Sequence, residues 1–133
     1  MPRLIAVVLF GMMLLVETAQ AYGLVRALLD PTPVAERLGI SPAAEVIRAG
    51  ILLILALTVA CGAFLAVVGL VGRVRELFLA GALACAIGYL VYGLYQMVSG
   101  MLQLGSGGAV LSGVIYLALG ALAYAMRRSV ADE

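Results

Sequence analysis

The chain has 133 residues, of which 65% are hydrophobic and 11% charged. Water-soluble domains contain roughly 45–50% apolar and about 25% charged residues, so much of this apolar surface must face lipid. The net charge of +1 gives no basis for binding nucleic acid. We therefore expect an all-α integral membrane protein whose partner along most of its surface is the lipid bilayer.

The amino-acid usage excludes most metal and cofactor sites. The sequence contains no His, and its two cysteines, Cys61 and Cys85, lie far apart and outside any CxxC motif. Protein metal sites are built mainly from His, Cys and clustered carboxylates, so we predict neither a metal site nor a cofactor. The chain also lacks Lys, and every cation is Arg. This bias indicates GC-rich DNA and a bacterial source.

Four apolar stretches are long enough to cross a bilayer, which requires about 20 residues per helix. They run over about residues 4–29, 49–72, 77–99 and 109–126. The charged residues cluster at the boundaries of these stretches. We therefore predict a single domain, residues 1–133, that forms a transmembrane four-helix bundle.

The first span begins like a signal peptide, with Arg3 before an apolar run and Ala19-Gln20-Ala21 as a candidate cleavage site. Cleavage before Tyr22 would leave an apolar remnant too short to span, and three further spans follow without a sizeable exported domain. A signal anchor has the same charged start and a longer apolar run. We therefore expect the N-terminal first span to remain uncleaved.

The outer loop at residues 30–48 is the longest connection between spans. Pro31 ends the first helix, and the apolar residues before Gly39 predict a short amphipathic helix at the membrane interface. Ser41 is a good N-cap, and Pro42 suits the first helical position. The second long helix should therefore begin one or two turns outside the lipid.

Arginines flank the spans unevenly. Five lie on the side of both chain ends, namely Arg3, Arg73, Arg75, Arg127 and Arg128; three lie on the other side, namely Arg26, Arg37 and Arg48. An uncharged turn at residues 100–108 also belongs to that other side. Arginine near span ends is enriched in cytoplasmic segments. We therefore expect a multi-pass protein of the bacterial inner membrane with both termini in the cytoplasm.

Glu17 lies near the middle of the first span. At about 1.5 Å per residue it is roughly 20 Å from the inner end of its helix, where an ionised carboxylate costs about 2.5–3.5 kcal/mol. Arg26, about 13 Å further along the same helix, is too distant to compensate that charge. We therefore expect Glu17 to be a neutral acid among hydrogen-bonding groups of the other spans.

Each of the other spans carries hydrogen-bonding side chains at a similar depth. Those of the third span recur at spacings of three and four, which places them on one face of a helix. Polar residues in lipid turn toward the bundle interior. We predict an interior polar cluster, a candidate protonation or ligand site, that consists of Glu17, Gln20, Thr58, Tyr89, Tyr92, Gln96 and Tyr116.

Small residues recur every three or four positions in the second and third spans. They are Gly62, Ala66 and Gly69 in the second span and Ala80, Ala84 and Gly88 in the third. Small residues let helices approach closely where no hydrophobic effect drives their association. We expect these ridges to be contacts within the bundle, and the alternative is a homo-oligomer formed through one of them.

A glutamate in the first of four short spans resembles the small multidrug resistance transporters, whose first-helix glutamate exchanges protons for cationic drugs. The resemblance is limited to Glu17 and the number of spans. This chain has no Trp and has a longer first loop than that family. The sequence therefore assigns the chain to no family.

Three classes of function fit these features. Short loops and the lack of catalytic groups favour a non-enzymatic bundle that binds a lipid or hydrophobic small molecule, or that is an accessory subunit of a larger membrane complex. The second class is a proton-coupled transporter or channel that protonates Glu17. The third is an intramembrane enzyme acting on a lipid-like substrate, with Glu17 as acid or base and a tyrosine as donor. No second titratable group at that depth completes an acid–base pair.

Overall fold

The computed structural model describes residues 2–102 and 107–132, and every regular element in these ranges is a helix. The elements are α1 (Pro2–Leu29), α2 (Thr32–Leu38), α3 (Pro42–Val71), α4 (Arg75–Leu102) and α5 (Gly107–Ala131). All except α2 are long and apolar enough to cross a membrane. The prediction of an all-α membrane bundle with four long helices is therefore confirmed. The predicted turn at residues 100–108 lies partly outside the described residues.

The long helices pack in the order α1, α3, α4, α5. α1 packs along α3, α3 along α4 and α4 along α5, whereas α1 and α5 touch only at a few points. The start of α1, the turn between α3 and α4 and the end of α5 meet at one end of the bundle, which we call the terminal side. α2 lies at the opposite end, the loop side, and packs on α3.

The loop between α1 and α3 has the local structure that its residues predict. α2 ends at Leu38 and is capped by Gly39, whose φ of 70° lies in the left-handed region where glycine carries no steric penalty. The Ser41 hydroxyl accepts a hydrogen bond from the backbone N–H of Ala44 at 3.1 Å, and Pro42 is the first residue of α3. The presence of a short helix before Gly39 and the start of the second long helix at Pro42 are therefore confirmed.

α3 and α4 approach so closely that their backbones touch. A Cβ added to Gly81 would lie 2.4 Å from the carbonyl oxygen of Gly62 and 2.5 Å from the backbone nitrogen of Ala66. A Cβ added to Gly62 would lie 2.8 Å from the carbonyl oxygen of Gly81. Real Cβ atoms do not approach backbone this closely, so each position requires glycine at the observed separation.

The ridge predicted on the third span contacts α3 at two of its three positions, Ala84 and Gly88. Ala80 is exposed, and Gly81 instead lies against α3. Gly88 is buried beside Val59, and the predicted ridge on α3 is buried as expected. Steps of four residues drift around a helix that has 3.6 residues per turn. The contact face of α4 therefore alternates steps of four and three, through positions 81, 85 and 88.

We predict that Gly81→Ala lowers the stability of the protein, by about 1–3 kcal/mol, because the added methyl forces two backbones apart. Gly11→Ala is the matched control, since a Cβ at Gly11 meets no atom within 4 Å. It should be neutral or stabilise by up to about 1 kcal/mol through helix propensity. Thermal unfolding in a non-ionic detergent measures both. Equal melting temperatures would show that α3 and α4 do not touch at Gly81.

Candidate functional site

α1 turns one stripe of residues toward the bundle interior. The buried residues of this stripe occur at spacings of three and four, and they include Ala6, Phe10, Met13, Glu17 and Ala21. Glu17 therefore occupies a position that an apolar residue fills elsewhere on the same face. Its side chain is 0% exposed and lies near the middle of α1.

Neither carboxyl oxygen of Glu17 has a hydrogen-bond partner among the described residues. The groups nearest the carboxyl are the hydroxyl of Tyr89, which interacts with it, and the thiol of Cys85, both on α4. The Cys85 thiol instead donates to the carbonyl oxygen of Val59 at 3.4 Å. Tyr89 is thus the neighbour of Glu17 that the sequence predicts.

Gln20 connects two tyrosines from different helices. Its amide Nε2 donates to the hydroxyl of Tyr116 on α5, and the hydroxyl of Tyr92 on α4 donates to its Oε1 at 3.2 Å. The ring centroids of Tyr92 and Tyr116 are 4.3 Å apart, and those of Tyr89 and Tyr116 are 5.8 Å apart. This network links α1 to α5, which otherwise touch only at a few points.

Thr58 does not join the cluster. Its side chain is exposed on the surface of α3, and its hydroxyl donates to the carbonyl oxygen of Ile54 at 2.8 Å. A threonine in lipid satisfies its hydroxyl within its own helix in this way, because the i−4 carbonyl is always in reach. Counting residues along the span predicts that Thr58 lies level with Glu17. Its side chain, however, points away from the bundle interior and does not contact Glu17.

A cavity of about 260 Å³ begins at Gln20 and extends toward the loop side. Gln20, Tyr92 and Gln96 supply its polar groups near the bundle interior. Arg37 from α2 and Arg48 from α3 line it closer to the loop. Its apolar lining residues include Leu24, Ala27, Val34 and Leu52. We call this space the loop-side cavity, and its lining combines hydrocarbon, amide and guanidinium groups.

Glu45 is the second fully buried acid, and unlike Glu17 it is paired. Arg48 donates from Nε to one carboxylate oxygen of Glu45 at 2.8 Å and from Nη2 to the other at 3.0 Å. Two parallel bonds from one guanidinium to one carboxylate give a strong and directional contact. The pair holds Arg48 at the wall of the loop-side cavity and neutralises most of its charge.

The arginine lining of the cavity is the part of the site that sequence reasoning missed. The spacing of three between Glu45 and Arg48 on one helix is a recognisable signal for an ion pair. No comparable signal exists for Arg37, because a short amphipathic helix shows which residues are apolar but not where the helix lies. Among the described residues, no group of three His, Cys, Asp or Glu side chains could hold a metal ion.

Comparisons with protein-family models, curated proteins and solved structures found no match for this chain. The function must therefore be inferred from the geometry of the site.

We predict that Glu17→Met stabilises the protein, by about 1–3 kcal/mol, because it removes two buried oxygens that lack partners while keeping a similar volume. Glu45→Met is the matched control at equal burial. It should destabilise by about 1–3 kcal/mol, because Arg48 loses its carboxylate; Arg48 is 26% exposed and can turn partly to water, which limits the cost. Thermal unfolding in detergent compares the two. A large loss of stability in Glu17→Met would show that the carboxyl has a partner.

Proposed function

We propose that this protein is a non-enzymatic protein of the bacterial inner membrane that binds an amphiphilic molecule carrying an anionic group. The observation that supports this most is the lining of the loop-side cavity, which combines two arginines near the loop with amide and apolar side chains. Its volume of about 260 Å³ is close to the lower end of the roughly 300–1,000 Å³ typical of ligand pockets. The ligand would be a lipid or lipid-like compound.

The charge of the loop-side cavity favours a single anionic group. Arg48 is largely neutralised by Glu45, whereas the guanidinium of Arg37 has no hydrogen-bonding or ionic partner within residues 2–102 and 107–132. A guanidinium binds carboxylate or phosphate through two parallel hydrogen bonds. Arg37 would therefore bind the head of the ligand, while Leu24 and Leu52 would contact its hydrocarbon part.

The polar floor of the cavity would fix the orientation of the ligand. Gln20, Tyr92 and Gln96 offer amide and hydroxyl groups to a second polar atom of the molecule. Glu17 does not line the cavity, so no acid–base pair faces the ligand, which favours binding over catalysis. With both termini in the cytoplasm, as the arginine distribution predicts, the cavity would open on the outer side of the membrane.

Binding of a fluorescent fatty acid to the detergent-solubilised protein tests this function. We expect Arg37→Gln to weaken binding of the acid about fivefold or more, and to leave binding of the corresponding neutral methyl ester unchanged, because only the acid pairs with the guanidinium. Arg26→Gln is the control, since Arg26 is an exposed loop-side arginine that does not line the cavity. Equal effects of the two variants, or equal binding of acid and ester, would contradict the proposal.

A second candidate function is proton-coupled transport, with Glu17 as the protonation site. The observation that favours it is the buried carboxyl without a hydrogen-bond partner, because an ionisable group inside a membrane is a functional candidate by default. Gln20 lines the loop-side cavity, and Glu17 lies about one helical turn from Gln20 on α1. A proton would therefore have to cross only one turn between the cavity and the carboxyl.

Reconstitution in vesicles that contain a pH-sensitive dye tests proton coupling. We expect Glu17→Gln to abolish any proton movement that the wild-type protein catalyses, because an amide cannot release a proton. Glu36→Gln, which removes an exposed acid on α2, should leave the movement unchanged. Absence of proton movement in the wild type, or its persistence in Glu17→Gln, would contradict this function without affecting the ligand-binding proposal.

A further inference from the structure

A second cavity, at the terminal side, is lined by arginines from three parts of the chain. Arg3 comes from α1, Arg73 from the turn between α3 and α4, and Arg75 from the start of α4. The cavity has a volume of about 100 Å³, well above the roughly 10–15 Å³ needed to hold one water. We call it the arginine cavity, and it is large enough for a small polyatomic ion.

The floor of the arginine cavity is apolar and lies at the ends of the spans. Leu70 and Phe78 are buried there, and Val130 closes the side formed by α5. A Cβ on Gly69 would lie 2.4 Å from the backbone nitrogen of Phe78, so the end of α3 packs directly on the start of α4. This close packing keeps the turn that carries Arg73 next to the cavity, at the level where a bilayer has its headgroups.

Among the described residues, none of those that line the arginine cavity is acidic. Arg75 donates from Nη2 to the carbonyl oxygen of Ala131 at 3.3 Å, and the guanidinium of Arg73 has no hydrogen-bonding or ionic partner in the described part of the chain. Glu76 and Asp132 are exposed nearby in sequence, but neither forms an ion pair with these two arginines. Arg73 and Arg75 therefore give this cavity positive charge that no acidic side chain among the described residues neutralises.

The helix dipoles at the terminal side do not offset the positive charge of these arginines. Two long helices begin at the terminal side and two end there, so their partial charges of about +0.5 and −0.5 largely cancel. The charge of the arginine cavity therefore comes from its guanidinium groups. Guanidinium groups match the oxygens of phosphate geometrically, through pairs of hydrogen bonds.

We propose that the arginine cavity binds the phosphate group of an anionic phospholipid through Arg73 and Arg75. Its position at the end of the apolar helices places it at the depth of lipid phosphates, and its volume fits one phosphate group with the rest of the lipid outside. The same chemistry would accept free inorganic phosphate. This site lies at the opposite end of the bundle from the loop-side cavity and is independent of the proposed function.

Thermal unfolding in a non-ionic detergent, with added phosphatidylglycerol, phosphatidylcholine or inorganic phosphate, tests the site. We expect phosphatidylglycerol to raise the melting temperature more than phosphatidylcholine does. Arg73→Gln should weaken binding of phosphatidylglycerol roughly fivefold, as expected for one arginine beside an anionic lipid. Arg128→Gln is the control, because Arg128 is exposed on the same side and does not line the cavity. Arg128→Gln should keep the wild-type preference for phosphatidylglycerol over phosphatidylcholine.

The outcomes separate the sources of the phosphate. Stabilisation by inorganic phosphate alone, lost in Arg73→Gln, would keep the phosphate site and overturn its assignment to a lipid. Equal losses in Arg73→Gln and Arg128→Gln, or no preference between the two lipids and no effect of phosphate, would overturn the site itself. Arg75→Gln serves as the second variant if Arg73→Gln does not fold, and the same comparison with Arg128→Gln applies to it.

Discussion

The backbone contacts of α4 determine how the rest of the bundle can pack. Lipid provides no hydrophobic driving force between helices, so close packing and internal hydrogen bonds must hold them together. α4 touches α3 at Gly62 and Gly81, and a Cβ on Gly93 would lie 2.8 Å from the carbonyl oxygen of Gly113 on α5. α4 is held close on both sides, whereas α1 and α5 touch only at a few points. Gln20 of α1 adds hydrogen bonds to Tyr116 of α5 and Tyr92 of α4.

Glu17 and Glu45 show two different ways of burying an acid in the same bundle. Both side chains are fully buried, but Glu45 is bound by Arg48 at the start of α3, whereas Glu17 lies near the middle of α1 without a cation beside it among the described residues. A buried polar group without a partner costs stability and calls for an explanation in a native structure. Glu17 lies one helical turn from Gln20, which lines the loop-side cavity.

The elements of the fold were predictable because each depends on local sequence. Long apolar runs specify the spans, Ser41 and Pro42 specify the start of α3, and the spacing of Tyr89 and Tyr92 places both on the buried side of α4. The site was predictable only in part. Position along a helix follows from counting residues, but rotation about its axis depends on tertiary packing. The sequence therefore predicts Thr58 in the interior cluster, whereas its side chain lies on the exposed face of α3. The loop-side cavity arises from the docking of α2, which no periodicity in its seven residues encodes.

We expect the carboxyl of Glu17 in the bundle interior to be neutral, because no cation among the described residues pairs with it. Infrared difference spectroscopy between the wild-type protein and Glu17→Gln at neutral pH tests this claim most directly, because protonated and ionised carboxyl groups absorb in separate regions. We predict that the variant loses the C=O band of a protonated carboxylic acid. Loss of ionised carboxylate bands instead would contradict the claim, and it would require a cationic ligand or a partner's cation beside Glu17.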